Sequence, residues 1–196
     1  GKIIGGAFTL LDASTALSTS TPLKGVFAGG RMPFVEDKVG PPSRAYLKLW
    51  EIFTLTGFYP NEKMQALDLG ATPGGWSYVA ASLGARVTMI DRSAPDAALL
   101  KKFPSLQFIK ADGLKPTQDL LNESDVILSD MACDVTKLFD SVMRWILLDK
   151  VRFIACTLKF HGVSDKVIIQ KFAELPNSII YHLWNNGHEL TWIWQR

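Results

Sequence analysis

Residues 68–77 read Asp-Leu-Gly-Ala-Thr-Pro-Gly-Gly-Trp-Ser, and they are the strongest indication of the fold in this 196-residue chain. The stretch begins within an apolar run at residues 65–69 and leads into a helix expected at residues 75–83. Glycines allow the backbone to turn sharply there and to approach a ligand closely. Because ligands of an open α/β sheet bind beyond the carboxyl ends of its strands, this turn is the first candidate binding site.

Strands and helices alternate along the rest of the chain. The apolar periodicity predicts strands at residues 65–69, 86–90, 106–110, 125–129 and 151–158, and helices at residues 43–56, 75–83, 96–103, 135–149 and 163–174. Two last strands, at residues 178–183 and 190–194, flank the hairpin signal Asn185-Asn186-Gly187. This pattern predicts an α/β fold: a mostly parallel, seven-stranded, Rossmann-like sheet with helices on both faces and a C-terminal antiparallel hairpin.

The first 40 residues differ in composition from the rest. They are rich in Gly, Ser and Thr, which predicts one or two short hairpins and then a loop through Gly29-Gly30 and Pro41-Pro42. They contain too little apolar material to fold alone. We therefore divide the chain into an N-terminal segment, residues 1–40, and a main domain, residues 41–196. The segment either packs on the main domain or is the remnant of a linker to an upstream domain.

Composition excludes several classes of protein. Hydrophobic residues make up 47% of the chain and charged residues 20%, so the chain is neither disordered nor a disulfide scaffold. A net charge of +2 is too small for a generally basic nucleic-acid-binding protein, although cations can still cluster locally. Cys133 and Cys156 are expected to be free thiols in a reducing compartment. We find no membrane-spanning run and no signal peptide, and we expect a cytoplasmic location.

Three ligand chemistries can use a glycine-rich turn of this kind. A P-loop requires Lys and then Ser or Thr after its last glycine, whereas Trp76 follows Gly75 here. A dinucleotide fingerprint requires the spacing G-x-G-x-x-G, which Gly70, Gly74 and Gly75 do not have. The third ligand, S-adenosylmethionine, has no pyrophosphate, so the turn need only pass over its amino-acid part and its sulfonium.

Two acidic residues follow the next two predicted strands. Asp91 would hold the ribose hydroxyls of S-adenosylmethionine, and Asp112 would accept a hydrogen bond from the adenine amine. Each has a simpler explanation when taken alone, since Asp91 could cap a helix and Asp112 could be a turn residue. The turn, Asp91 and Asp112 occur in order after three successive strands, and this order favours the cofactor.

Five short motifs lie at predicted strand ends or in the first helix of the main domain. They resemble the FtsJ-like, Rossmann-type 2′-O-ribose RNA methyltransferases over most of the chain, from about Pro42 to the C-terminus. The resemblance implies a class I methyltransferase fold, S-adenosylmethionine as cofactor and RNA as substrate. The motifs are residues 43–49, residues 68–77, Ser129-Asp130-Met131, Leu158-Lys159-Phe160 and Gly187-His188-Glu189-Leu190.

The same resemblance implies the site residues. The family's catalytic Lys, Asp, Lys and Glu fall by motif position on Lys48, Asp130, Lys159 and Glu189. Arg44 and Lys48 are expected to contact the RNA. The expected cofactor-binding residues are Asp68, Gly70, Pro73, Gly74, Gly75, Trp76, Asp91, Asp112 and Asp130.

Two features resemble the RlmM branch of the family, which modifies a cytidine ribose of large-subunit ribosomal RNA. One is the run Pro42-Ser43-Arg44 ahead of Lys48, and the other is Ala132-Cys133-Asp134 after Met131. RlmM-type proteins also carry an upstream RNA-binding domain. The branch implies ribosomal RNA as the partner.

The chemistry of methyl transfer leaves one role open. A ribose 2′-hydroxyl must lie in line with the sulfonium methyl and must lose its proton. Lys159 would act either as an electrostatic stabiliser of the oxygen or as a base, with Asp130 orienting it. The histidines and cysteines have no metal-ligand spacing, so we predict no metal. The alternative function is a non-catalytic RNA-binding module that retains the methyltransferase fold.

Overall fold

The computed structural model describes residues 4–5, 8–18, 23–24, 31–160, 162 and 165–196. The chain divides into two compact units, Gly1–Val35 and Glu36–Arg196. A domain boundary between residues 40 and 41 remains a prediction from the sequence. In the described part of the chain, no helix combines the length and the apolar character needed to cross a membrane.

The first unit contains two short antiparallel ladders. Strand β1, Ile4–Gly5, pairs with β4, Leu23–Lys24. Strand β2, Phe8–Leu10, pairs with β3, Ala16–Ser18, and Asp12 shapes the intervening turn by accepting a hydrogen bond from the Ser14 N–H at 2.8 Å. The predicted loop through Gly29-Gly30 lies outside the described residues.

The second unit alternates helices and strands. Its elements in chain order are α1 Tyr46–Thr56, β5 Gln65–Leu69, α2 Gly75–Ser82, β6 Arg86–Asp91, α3 Ala97–Lys102, β7 Gln107–Lys110, α4 Gln118–Glu123, β8 Val126–Ser129, α5 Val135–Trp145, β9 Phe153–Leu158, α6 Lys166–Ala173, β10 Ser178–Tyr181 and β11 Leu190–Gln195.

These strands form one seven-stranded sheet in the order β10-β11-β9-β8-β5-β6-β7. Strands β5 to β9 pair in parallel, whereas β11 is antiparallel to both β9 and β10. The predicted parallel sheet with a closing antiparallel hairpin is confirmed. Strand β5 lies between β6 and β8, so the order of the strands reverses beside the turn at residues 68–77. Such a reversal opens a crevice at the carboxyl ends of the strands.

Side chains alternate between the two faces of the sheet. Leu67 and Leu69 of β5 belong to a buried cluster with α5, α6 and the indoles of Trp192 and Trp194. On the opposite face, α1 packs on β9 through Phe53 and Phe153, whose ring centroids lie 5.8 Å apart. Helices on both faces are therefore confirmed, and both tryptophans lie in the core. Burial of these side chains supplies most of the driving force for folding.

Element ends differ modestly from the predictions. Helix α1 begins at Tyr46 rather than residue 43, because residues 43–45 form turns. Helix α5 ends at Trp145 rather than residue 149. Helix α4 was not predicted. The first residues of the predicted helix 163–174 lie outside the described part of the chain, and α6 begins at Lys166.

Candidate active site

The turn after β5 leaves no room for side chains at its glycines. Gly70 has φ of 72°, and a Cβ there would lie 2.1 Å from Cγ of Met131. Gly74 has φ of 116°, and a Cβ there would lie 2.2 Å from Cδ2 of Leu99. Both positions combine a left-handed backbone with a close neighbour, so only glycine fits. The backbone of the turn therefore forms one wall of a cleft directly.

Asp91 joins the end of β6 to this turn. Its Oδ2 accepts a hydrogen bond from the Thr72 N–H at 3.0 Å, and its Oδ1 accepts one from the Ser93 N–H at 2.9 Å. The Thr72 hydroxyl donates to the Ser93 carbonyl oxygen at 2.6 Å. These bonds fix the carboxylate beside the turn, with lone pairs left on both oxygens for a further donor.

Asp112 follows β7 and faces the same cleft. Its Oδ2 lies 2.7 Å from Nη2 of Arg92, and its Oδ1 accepts from the Leu114 N–H at 3.1 Å. These two contacts, the backbone bond first, hold the pKa of the Asp112 carboxyl below its ordinary value. A cleft of about 380 Å³ is lined by Asp91, Asp112 and Asp130 together with Gly70, Thr72, Arg92, Gly113, Leu114, Met131, Ala132, Cys133 and Lys159.

A smaller cavity of about 120 Å³ continues under the turn, and it brings together Asp68, Pro73, Gly75 and Trp76 with Ser43, Ala45, Gly70, Ala71, Thr72, Asp130 and Lys159. Asp68 is 1% exposed and accepts a hydrogen bond from the Ser77 hydroxyl at 2.6 Å. Burial raises the pKa of its carboxyl to about 7 despite that hydrogen bond, and the nearby charge of Asp130 raises it further.

Two further side chains complete this cavity. The buried Trp76 indole donates from Nε1 to the Ala45 carbonyl oxygen at 3.0 Å, which ties the segment before α1 to the turn. The buried Ser43 hydroxyl lines the same cavity and has no hydrogen-bond partner among the described residues. A buried polar atom without a partner is costly, so this hydroxyl is suited to a polar ligand. Ser43 belongs to the motif at residues 43–49, but it was not predicted from the sequence as a site residue.

The four residues expected to be catalytic are brought together at the mouth of the cleft. Lys48 Nζ donates to Asp130 Oδ1 at 2.8 Å and to Glu189 Oε1 at 3.1 Å. Lys159 Nζ lies 3.1 Å from the same Asp130 Oδ1 and also donates to the Asp130 carbonyl oxygen. The result is a continuous chain of contacts in which two ammonium groups and two carboxylates balance in charge.

Four separate elements supply this set of residues. Lys48 comes from α1, Asp130 follows β8, Lys159 follows β9, and Glu189 precedes β11. Their side chains are 8%, 17%, 28% and 22% exposed, in that order. Partial burial strengthens ion pairs, because water screens them less. Lys159 is the most exposed of the four and is therefore the most accessible to a substrate.

Arg44 is not part of this set. Its side chain is 78% exposed and forms an ion pair with Glu36 at 2.7 Å. RNA contact stays a prediction for both Arg44 and Lys48, of which Lys48 is held inside the ion-pair chain.

Both cysteines are free thiols. Cys133 is partly buried at the edge of the cleft, and Cys156 is buried in the core. Burial raises the pKa of both thiols, Cys156 the more. Such thiols are poor nucleophiles. Among the described residues, no three His, Cys, Asp or Glu side chains are grouped to hold a metal ion.

The sequence of the chain is similar to those of known proteins. The model of the FtsJ-like methyltransferase family matches residues 41–193. A ribosomal RNA large subunit methyltransferase M from Xylella fastidiosa (strain M12) is 35% identical over 125 residues, covering 60% of this chain and 34% of that protein. A ribosomal RNA large subunit methyltransferase E from Archaeoglobus fulgidus is 39% identical over 136 residues, covering 67% of this chain and 64% of that protein.

A solved structure shares the fold. A ribosomal RNA methyltransferase from Plasmodium falciparum superposes with a TM-score of 0.56 at 17% identity, covering 79% of this chain and 97% of that one. The present chain spans about a third of the length of the methyltransferase M relatives that it matches. The family model covers most of the second unit, including the turn and all four clustered residues. The chain therefore belongs to the FtsJ-like methyltransferase family.

Proposed function

We propose that this chain is an S-adenosylmethionine-dependent RNA 2′-O-ribose methyltransferase that acts on large-subunit ribosomal RNA. The observation that carries the proposal is the contact chain from Glu189 through Lys48 and Asp130 to Lys159, at the mouth of the cleft beside the glycine turn. The methyltransferase M relatives support ribosomal RNA as the substrate. Such a substrate is available in the cytoplasm, and a cytidine is the expected target of the RlmM branch.

The residues of the cleft fit S-adenosylmethionine. The turn from Gly70 to Gly75 would pass over its amino-acid part, and the unpartnered Ser43 hydroxyl would donate to its carboxylate. Asp91 would accept hydrogen bonds from the ribose hydroxyls, and Asp112 would accept one from the adenine amine. The carboxylates of the site would also favour the positive sulfonium. When bound, the cofactor supplies an electrophilic methyl group.

The side chains around Asp130 explain how a ribose hydroxyl would react. A lysine ammonium has three N–H donors, and Lys159 donates one of them to the Asp130 carbonyl oxygen while its charge pairs with Asp130 Oδ1. Another N–H would face the 2′-oxygen, whose developing negative charge it would stabilise. The 2′-oxygen would accept the methyl group that the cofactor supplies, with the cofactor's thioether as the leaving group. The hydroxyl proton would pass to water if Lys159 is an electrostatic stabiliser, or to Lys159 if that residue is the base.

Replacement of Lys159 tests this assignment. We expect Lys159→Ala to lower methyl transfer to large-subunit RNA by about 100- to 1000-fold, with cofactor binding within about threefold of the wild type. The product is identified by resistance to alkaline hydrolysis at the methylated nucleotide, since the blocked 2′-oxygen cannot attack the phosphate. Lys171→Ala, at an exposed position on α6, is the matched control.

The results also separate the roles and functions left open. Lys159→Arg keeps a cation that cannot serve as a base, so substantial activity in this variant indicates an electrostatic role. Loss of activity in both variants favours a base. RNA binding without any methyl transfer by the wild-type chain would indicate the non-catalytic module instead.

A further inference from the structure

Glu51 is a buried carboxylate that the proposed mechanism does not use. It lies on α1, three residues after Lys48, and is 2% exposed. Residues three apart on a helix lie on the same side of it. A buried carboxylate is costly unless hydrogen bonds compensate for the lost water.

The compensation comes from one short segment between β10 and β11. Glu51 Oε1 accepts a hydrogen bond from the Trp184 N–H at 2.7 Å. Its Oε2 accepts from the Asn185 N–H at 3.1 Å and from the Asn185 side-chain amide at 2.7 Å. No ion pair among the described residues involves Glu51. The carboxylate therefore binds this segment through neutral donors alone.

The same segment carries Glu189, four residues after Asn185. Glu189 Oε1 in turn accepts from Lys48 Nζ at 3.1 Å. Helix α1 thus holds the segment at two points, through Glu51 at Trp184 and Asn185 and through Lys48 at Glu189. A loop without such a tie would have more freedom, and a displacement of about 1 Å in a site can cost about 100-fold in rate.

We propose that Glu51 is a positioning residue: it fixes the 184–189 segment so that Glu189 meets Lys48 in the catalytic set. The inference rests on the proposed function for its effect on the rate. Its structural part, the anchoring of the segment, can be measured without any activity. Glu51 acts through Glu189 and, being buried, has no contact with the RNA.

The test compares Glu51→Gln with Glu174→Gln, an exposed glutamate directly after α6 that serves as the matched control. Glutamine keeps the size of the side chain but turns an N–H₂ group toward N–H donors. We expect faster amide hydrogen exchange in residues 183–190 and unchanged exchange in the turn at residues 68–77. We also expect kcat to fall by about tenfold or more while the cofactor Kd stays unchanged.

A double-mutant cycle separates positioning from general stability. If Glu51 acts through Glu189, the combined Glu51→Gln and Glu189→Gln chain loses no more activity than Glu189→Gln alone. Additive losses, or unchanged exchange in residues 183–190, would overturn the proposal. Should Glu51→Gln not fold, Asn185→Ala removes one of the three bonds and gives the same readouts with a smaller effect. An inactive wild type refutes the proposed function, whereas the exchange measurement still decides the anchoring.

Discussion

The two ends of the cleft are held in place by different forces. At the turn end, glycine backbone fills the space, and neutral N–H groups bind Asp91. At the catalytic end, the positions of Lys48, Asp130 and Glu189 depend on charged side chains that meet across the sheet. A steric clash appears abruptly once an added atom is too close, whereas the strength of an ion pair changes gradually with charge, hydration and pH. Substitutions at the two ends should therefore fail in different ways.

The largest effect is expected at the turn. Gly70→Ala places a Cβ 2.1 Å from Met131 Cγ at a φ of 72°, and we expect cofactor affinity by calorimetry to fall by at least about 100-fold. Gly57→Ala is the matched control, because Gly57 has φ of 69° with no atom within 4 Å of the added Cβ. If both variants bind the cofactor equally well, steric fit does not govern this end.

The next effect is expected at the catalytic end. Lys48→Met removes the ammonium that joins Asp130 to Glu189, so methyl transfer should fall by about 100-fold. Cofactor binding should change little, in contrast to Gly70→Ala. Lys171→Met, on the exposed side of α6, controls for loss of a surface charge. Equal loss of binding and turnover would show that the two ends are not separable.

The smallest effect concerns Asp68, which lies between the two ends. Its pKa is about 7 in the folded chain and near 3.8 when unperturbed, so the folded chain binds more protons between those values. The contribution of this group to the free energy of unfolding therefore decreases as pH rises from about 4 toward 7.

Asp68→Asn removes this titration while leaving an oxygen that can accept from Ser77. We expect its Tm to exceed that of the wild type, with a gap that widens from pH 5 to pH 8 in thermal melts. The exposed Asp149→Asn serves as control. A gap that does not change with pH would mean that burial leaves this carboxyl ionised.

The difference between the two ends of the cleft also explains which site residues could be predicted from the sequence. The turn, Asp91 and Asp112 follow successive strands, so local pattern was enough to place them along one edge of the sheet. Lys48 and Glu189 are 141 positions apart, and only the family resemblance suggested that they belong together.

The features that were not predicted from the sequence depend on contacts between distant residues, or are very short elements. Glu51 reads as an ordinary helical residue, because its partners Trp184 and Asn185 are 133 and 134 positions away. Ser43 shows its importance only when the cavity around its hydroxyl is seen. Helix α4 depends on the Thr117 cap, which accepts from the Leu120 N–H, rather than on periodicity.

The separation between Lys48 and Glu189 also sets an order during protein synthesis. A growing chain can pair β5 with β6 and β8 before β11 has been made. The catalytic set closes only when the last strands join the sheet beside β9. A partly synthesised chain would therefore carry the glycine turn without Glu189, and Lys48 would lack one of its two carboxylate partners.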